Sequence, residues 1–127
     1  MLLLKINETE TFPHHLIGDI AQLDIVGADM SESLGGKGLG AVDMGAIMFE
    51  IACKDTPLAT FFLLHNFLGL NAVDKLAHDK LKFPLLSSTI PLYKILGWAL
   101  TEPGNGSEIT TTARKIEGGY LLSGKKK

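Results

Sequence analysis

The residues best suited to chemistry lie in one stretch, Trp98-Ala99-Leu100-Thr101-Glu102-Pro103-Gly104-Asn105-Gly106-Ser107-Glu108. A short apolar run ends in Thr-Glu, is broken by proline, and opens into a loop of small residues. Pro103 cannot donate to a strand ladder and so ends the run. Gly104 and Gly106 tolerate positive φ and carry no side chain to hold a ligand away. Thr101 and Ser107 place hydroxyls at the two ends of the loop. Such a strand and loop suit the close approach of something flat, apolar on its face and polar at its edge.

The rest of the chain must deliver that stretch. It has 127 residues, the size of one ordinary domain, with 46% hydrophobic and 20% charged residues and a formal charge of −2. This charge leaves no electrostatic footprint for nucleic acid. The single cysteine, Cys53, cannot form an internal disulfide and reads as a small buried hydrophobe on a helix. No Cys and His pair has zinc spacing, so no metal site is expected. The N-terminal Met1-Leu2-Leu3-Leu4-Lys5 is too short for the apolar core of a signal peptide.

Four helices are expected before residue 95. Leu16, Ile17, Ile20 and Leu23 recur at helical spacing, with Gly27 as the stop and His14 and His15 in solvent. Gly35-Gly36-Lys37-Gly38-Leu39-Gly40 is not a phosphate loop, because Lys37 is followed by Gly38 rather than Ser or Thr. It fits a dinucleotide fingerprint only loosely and reads as a flexible turn before a helix. Residues 41–53 are apolar nearly all round, which predicts a buried helix with Asp43 at its N-terminus. Thr56 reads as the N-cap of the next helix, with Pro57 first in it.

That helix, 57–73, is apolar but interrupted by His65, Asn66, Gly69 and Asn71. It falls short of the ~20 apolar residues of a membrane span. His65 and Asn66 must find partners inside it, either on a neighbouring helix or in a ligand cavity. Residues 74–88 form an amphipathic surface helix that Pro84 should kink or end, with His78 in solvent. Near residue 95 the pattern turns to β. Strands are expected at Leu96–Thr101, Ile109–Ile116 and Tyr120–Ser123, with Glu117-Gly118-Gly119 as a turn. The fold class is therefore α+β: a helical domain over 1–94, then, over 95–127, the first strands of a sheet domain. So few strands leave open edges, and the chain reads as the front part of something larger.

Residues 98–108 resemble the signature of the acyl-CoA dehydrogenase and acyl-CoA oxidase flavoenzymes, an aromatic and apolar pair leading into Thr-Glu-Pro, then Gly-Ser and an acid. Thr111-Thr112-Ala113-Arg114-Lys115-Ile116-Glu117-Gly118-Gly119-Tyr120-Leu121-Leu122-Ser123-Gly124-Lys125-Lys126 is similar to the hairpin that follows it there. Leu23-Asp24-Ile25-Val26-Gly27 and Phe61-Phe62-Leu63-Leu64-His65-Asn66-Phe67-Leu68-Gly69 match more loosely. Within the family the chain looks most similar to the peroxisomal short-chain oxidases of plants.

The resemblance implies a subunit of helical domain, β-barrel and four-helix bundle that binds FAD and oxidises acyl-CoA thioesters in fatty-acid β-oxidation. It implies that Trp98, Leu100, Thr101, Gly106 and Ser107 contact the flavin, and that Ser107, Leu64, His65 and Leu68 lie near the acyl-CoA. It also implies a homo-oligomer, a dimer or tetramer, in the peroxisome or alternatively the mitochondrion. The catalytic carboxylate belongs to the bundle, so no residue here is expected to be the base, Glu102 included. The chain alone is expected to be inactive. The alternative is a non-catalytic helical interaction module.

Overall fold

The structure is a computed structural model that describes Phe12, residues 14–104 and residues 108–126. The chain is α+β, with helices first and a two-stranded antiparallel sheet last. It falls into two compact units that divide between Gly97 and Trp98.

Helix α1, His15–Gln22, buries Ile20 and half-buries Leu16 and Ile17, the face that the spacing marks out. It ends earlier than Gly27. Leu23 caps it, and Asp24 makes the reversal with φ 56. Asp is among the few side chains that visit the left-handed region, and Lys37 pairs with Asp24 at 2.8 Å. Gly27 serves packing instead. It is buried against Ile90, whose Cγ1 would lie 2.9 Å from an added Cβ.

The glycine-rich segment is strapped down rather than loose. The amides of Lys37 and Leu39 donate to the Ala28 carbonyl at 3.1 and 2.9 Å, and that of Gly38 to Met30 at 2.8 Å. Gly36 lies so close to the Met30 carbonyl that no Cβ fits. The absence of side chains here permits backbone-on-backbone packing, which composition alone reads as freedom.

Helix α2, Ala41–Lys54, opens with Asp43 Oδ2 accepting from the Gly40 N–H at 3.1 Å. The expectation of a buried helix fails for it. Only Met44 is buried, while Val42 and Phe49 are 87% and 66% exposed and Cys53 is exposed. An all-round apolar helix needs partners on every side, and this unit covers one stripe.

Asp55, not Thr56, caps the next helix, its Oδ1 accepting from Leu58 N at 2.7 Å. Helix α3 runs from Thr56 to Leu76, 21 residues with mean hydropathy 1.2. By length and composition it is long and apolar enough to cross a membrane, which the interrupted run did not suggest. Core helices share those properties, and Phe62, His65, Asn66 and Leu70 are enclosed within the unit. Its middle, Leu63–Leu70, is wound as a π-helix. Wider winding of this kind re-aims side chains and recurs at functional sites.

Helix α4, Asp79–Thr89, is capped by His78, whose exposed Nδ1 accepts from Lys80 N at 3.3 Å. It continues through Pro84 instead of ending there. Beyond the proline, Leu86 and Thr89 are fully buried, and Thr89 Oγ1 donates back to the Leu85 carbonyl at 2.8 Å. Burial of that last turn outweighs a proline cost of about 3 kcal/mol. The core of this unit joins Ile20, Val26, Met44, Phe62, Leu70 and Leu86.

In the second unit, β1 (Thr112–Ile116) pairs with β2 (Gly119–Ser123), in register from Thr112 opposite Ser123 to Ile116 opposite Gly119. Glu117 and Gly118 make the two-residue turn, with Gly118 at φ +80, a left-handed conformation that glycine adopts without strain. The expected strand at Leu96–Thr101 does not form a ladder. Leu100 N donates to the Trp98 carbonyl at 2.9 Å, a three-residue turn within an extended segment. The expected Ile109–Ile116 strand starts only at Thr112, because the residues before it bond elsewhere.

Candidate functional site

In the second unit the segment Trp98–Thr101 stands open. Trp98 is 43% and Leu100 62% exposed, and Thr101 is exposed. Large apolar side chains left in water beside a hydroxyl suit a flat ligand with a polar edge. Gly104 takes φ +125, a conformation closed to most other residues. Gly106 and Ser107, expected at the same ligand, lie outside the described residues.

Directly after Thr101 the polarity inverts. Glu102 is 4% exposed, and its carboxylate is saturated with donors. Oε2 accepts from the Thr110 amide and hydroxyl, both at 2.6 Å, and from the Thr111 amide at 3.1 Å. Lys126 Nζ reaches Oε1 at 2.5 Å. Lys126, followed by the hydroxyl and amides of Thr110 and Thr111, holds this carboxyl well below the ordinary carboxylate range, against a smaller opposing effect of burial. Glu102 is therefore an ionised structural anchor. It joins the end of the open segment to the lead-in of β1 and to the residue that leaves β2.

The resemblance includes Glu102 in the motif but gives it no catalytic role, and nothing local connects it to Lys126. No periodicity links positions 102, 110 and 126. An acid immediately before proline, with a run of three threonines eight residues on, is the local signal.

In the helical unit, Leu64, His65 and Leu68 share the π-wound middle of α3. Leu64 is 40% exposed and Leu68 half-buried. His65 is 1% exposed with both ring nitrogens engaged. Nε2 donates to the Thr89 carbonyl and Nδ1 accepts from the Leu96 N–H, each at 3.0 Å. That pairing selects the neutral ring protonated on Nε2. Burial lowers its pKa, and the carbonyl contact opposes only part of that effect. Phe61 stacks on the ring at 5.8 Å.

Next to it, Asn66 is fully buried. Its Oδ1 accepts from Gly27 N at 2.6 Å and its Nδ2 donates to Asp29 Oδ1 at 3.3 Å, while Asn71 serves Asp29 Oδ2 at 3.3 Å. Of these two polar residues of α3, only His65 reaches a neighbouring helix, at Thr89, while Asn66 bonds the segment after α1. A separate apolar cleft of about 320 Å³ is bordered by Leu23, Ile51 and Leu58 and includes none of the expected site residues. Among the described residues no His, Cys, Asp and Glu cluster could hold a metal ion.

Comparison with known proteins adds lineage to this geometry. Residues 2–90 match the family described as acyl-CoA dehydrogenase, N-terminal domain. The chain is 30% identical over 125 residues to the mitochondrial isobutyryl-CoA dehydrogenase of Dictyostelium discoideum, covering 96% of this chain and 30% of that protein. It is 28% identical over 124 residues to the benzylmalonyl-CoA dehydrogenase of Aromatoleum aromaticum, covering 95% and 33%. With the human mitochondrial short-chain specific acyl-CoA dehydrogenase it shares 28% identity over 125 residues, 96% and 30% of the two. The chain spans about a third of the length of these relatives.

Proposed function

The chain belongs to the acyl-CoA dehydrogenase family, and from that premise we propose that it forms the helical domain and one flavin-facing wall of an FAD-dependent acyl-CoA dehydrogenase. The observation that carries the proposal is the open Trp98–Leu100–Thr101 segment beside the anchored Glu102. Exposed indole and leucine surface matches the flat face of a flavin ring, and the Thr101 hydroxyl can serve its polar edge. Gly106 and Ser107 are proposed to add a backbone N–H and a second hydroxyl. The chemistry that a bound flavin supplies is acceptance of hydride from the acyl β carbon as a base removes the α proton. This chain's part is to orient and enclose, and none of its carboxylates is assigned as the base.

Leu64 and Leu68 are proposed to face the acyl group, with Ser107 near the thioester. His65 serves that region by holding Leu96 and Thr89, since both of its ring nitrogens are taken. A short acyl-CoA is the proposed substrate, in line with the isobutyryl and short-chain relatives. A mitochondrial place and a dehydrogenase acceptor follow the names of those relatives. The peroxisomal oxidase reading rests on the resemblance alone. A homo-oligomer is proposed on family membership.

Titration of the purified chain with FAD tests the wall. Trp98 is the only tryptophan, so stacking beside a flavin should quench its emission. Unchanged emission at saturating FAD would refute the wall. Anaerobic butyryl-CoA should leave the flavin of such a mixture oxidised, and bleaching would show that these residues suffice for turnover.

A further inference from the structure

We propose that Glu102 is a positioning residue, holding the Trp98–Thr101 segment in place by bolting its end to Thr110, Thr111 and Lys126. The inference rests on the flavin reading for what the segment faces, but not for the anchoring itself. Three features carry it. Glu102 is the one residue of 98–104 that is buried. Its carboxylate gathers two amides, a hydroxyl and an ammonium from two places far apart in sequence. Among the described residues, the segment before it has no ladder of its own, only the Leu100 to Trp98 turn. A segment without strand partners keeps its shape only if its end is fixed, and charge-assisted bonds are the strong means of fixing it. The pairing also explains why β1 starts late: the Thr110 and Thr111 amides serve the carboxylate rather than a strand.

Lys126 completes the anchor from beyond β2, so the carboxylate ties both ends of the hairpin to residue 102. The Lys126 side chain is 30% exposed and the Glu102 side chain 3%. The neutral donors therefore set the geometry, and the lysine supplies charge.

The test uses the whole 127-residue chain, its Glu102→Gln and Lys126→Met variants, amide exchange by NMR and the polarised emission of Trp98. In the native chain the Thr110 and Thr111 amides should be protected. Glu102→Gln should speed their exchange about tenfold and lower Trp98 anisotropy, while amides of the helical unit keep their rates. Lys126→Met should shift both readouts the same way by less, and it guards against a Glu102 variant that fails to fold. FAD affinity, read by Trp98 quenching, should fall about tenfold in Glu102→Gln. Unprotected Thr110 and Thr111 amides in the native chain, or unchanged rates in Glu102→Gln, would overturn the anchor. Faster exchange with unchanged Trp98 anisotropy and FAD affinity would reduce Glu102 to a local tie and overturn its positioning role. If FAD leaves native Trp98 unquenched, the flavin reading falls, and the exchange and anisotropy results still decide the anchor.

Discussion

The buried N–H of Gly27 donates a 2.6 Å hydrogen bond to Asn66 Oδ1, across 39 residues of sequence. With the Asn66 to Asp29 bond, it stitches the segment after α1 to the π-wound middle of α3. The consequence is a short chain of paired polar groups inside an otherwise apolar core.

Replacing Asn66 by Leu strands the Gly27 donor without a partner. The cost should be about 1–3 kcal/mol, the penalty of an unpaired buried group, despite similar side-chain volume. Urea unfolding of the two proteins measures it, as a lowered midpoint at constant slope. A midpoint equal to the native one would mean that the bond adds nothing.

Gly36 and Gly38 should respond differently to alanine. At Gly36 an added Cβ meets the backbone carbonyls of Met30 and Gly27, which cannot swing aside. At Gly38 there is open space, and only φ +64 opposes the change. Gly38→Ala should cost about 1–2 kcal/mol, the left-handed backbone penalty. Gly36→Ala should cost clearly more, because the Lys37, Gly38 and Leu39 amides would lose their carbonyl partners. Thermal unfolding ranks the two, and the reverse order would contradict the packing.

His65 makes stability depend on pH. Its folded pKa is depressed below the ordinary histidine value of 6.5, so the unfolded chain binds the proton more readily. The stability from the neutral ring is complete above 6.5 and is lost as pH falls toward the folded pKa. A proton on Nδ1 would also face the Leu96 N–H donor. His65→Gln should be less stable near neutrality, yet lose less on acidification from pH 7.5 to 5. Melting temperatures at the two pH values decide this, and parallel losses would assign the dependence to other groups.

Glu102 has the same sign of linkage in a lower window. Its folded pKa is depressed, so its contribution is complete above the ordinary carboxylate range and disappears as acid reaches the folded value. The Thr110 amide should stay protected below the pH at which exposed carboxylates titrate. Exchange followed from pH 5 to 2 reads this, and protection lost at pH 4 would show an ordinary carboxylate.

Cys53 is exposed on α2, against the preference of free cysteine for the interior. In native protein it should react with a thiol reagent at one equivalent per chain, at about the rate of denatured protein. A thiol silent until denaturant is added would show that this face of α2 is covered in solution.

Sequence alone determined much of the element order. The helical face of α1, the solvent position of His78, the hairpin turn at Gly118 and the order of helices before strands follow from local signals, whereas the expected 74–88 helix is in fact split between the end of α3 at Leu76 and α4 from Asp79. Spacing, caps and turn residues act over a few positions, and so they can be read along the chain. The Trp98–Glu108 motif resembles the family signature, and the match of residues 2–90 bears out the family.

Tertiary structure decided what each side chain meets. The apolar composition of α2 predicted burial, yet the unit supplies partners for one stripe only, leaving Phe49 and Cys53 in solvent. His65 and Asn66 were ambiguous because their partners, Thr89, Leu96 and Gly27, are remote in sequence. Pro84 stayed inside a helix because the turn beyond it is buried. Glu102 became an anchor because residues 110, 111 and 126 fold back onto it. Burial and long-range hydrogen bonding are pairwise properties of positions brought together by folding, and neither partner alone carries the sign of the interaction.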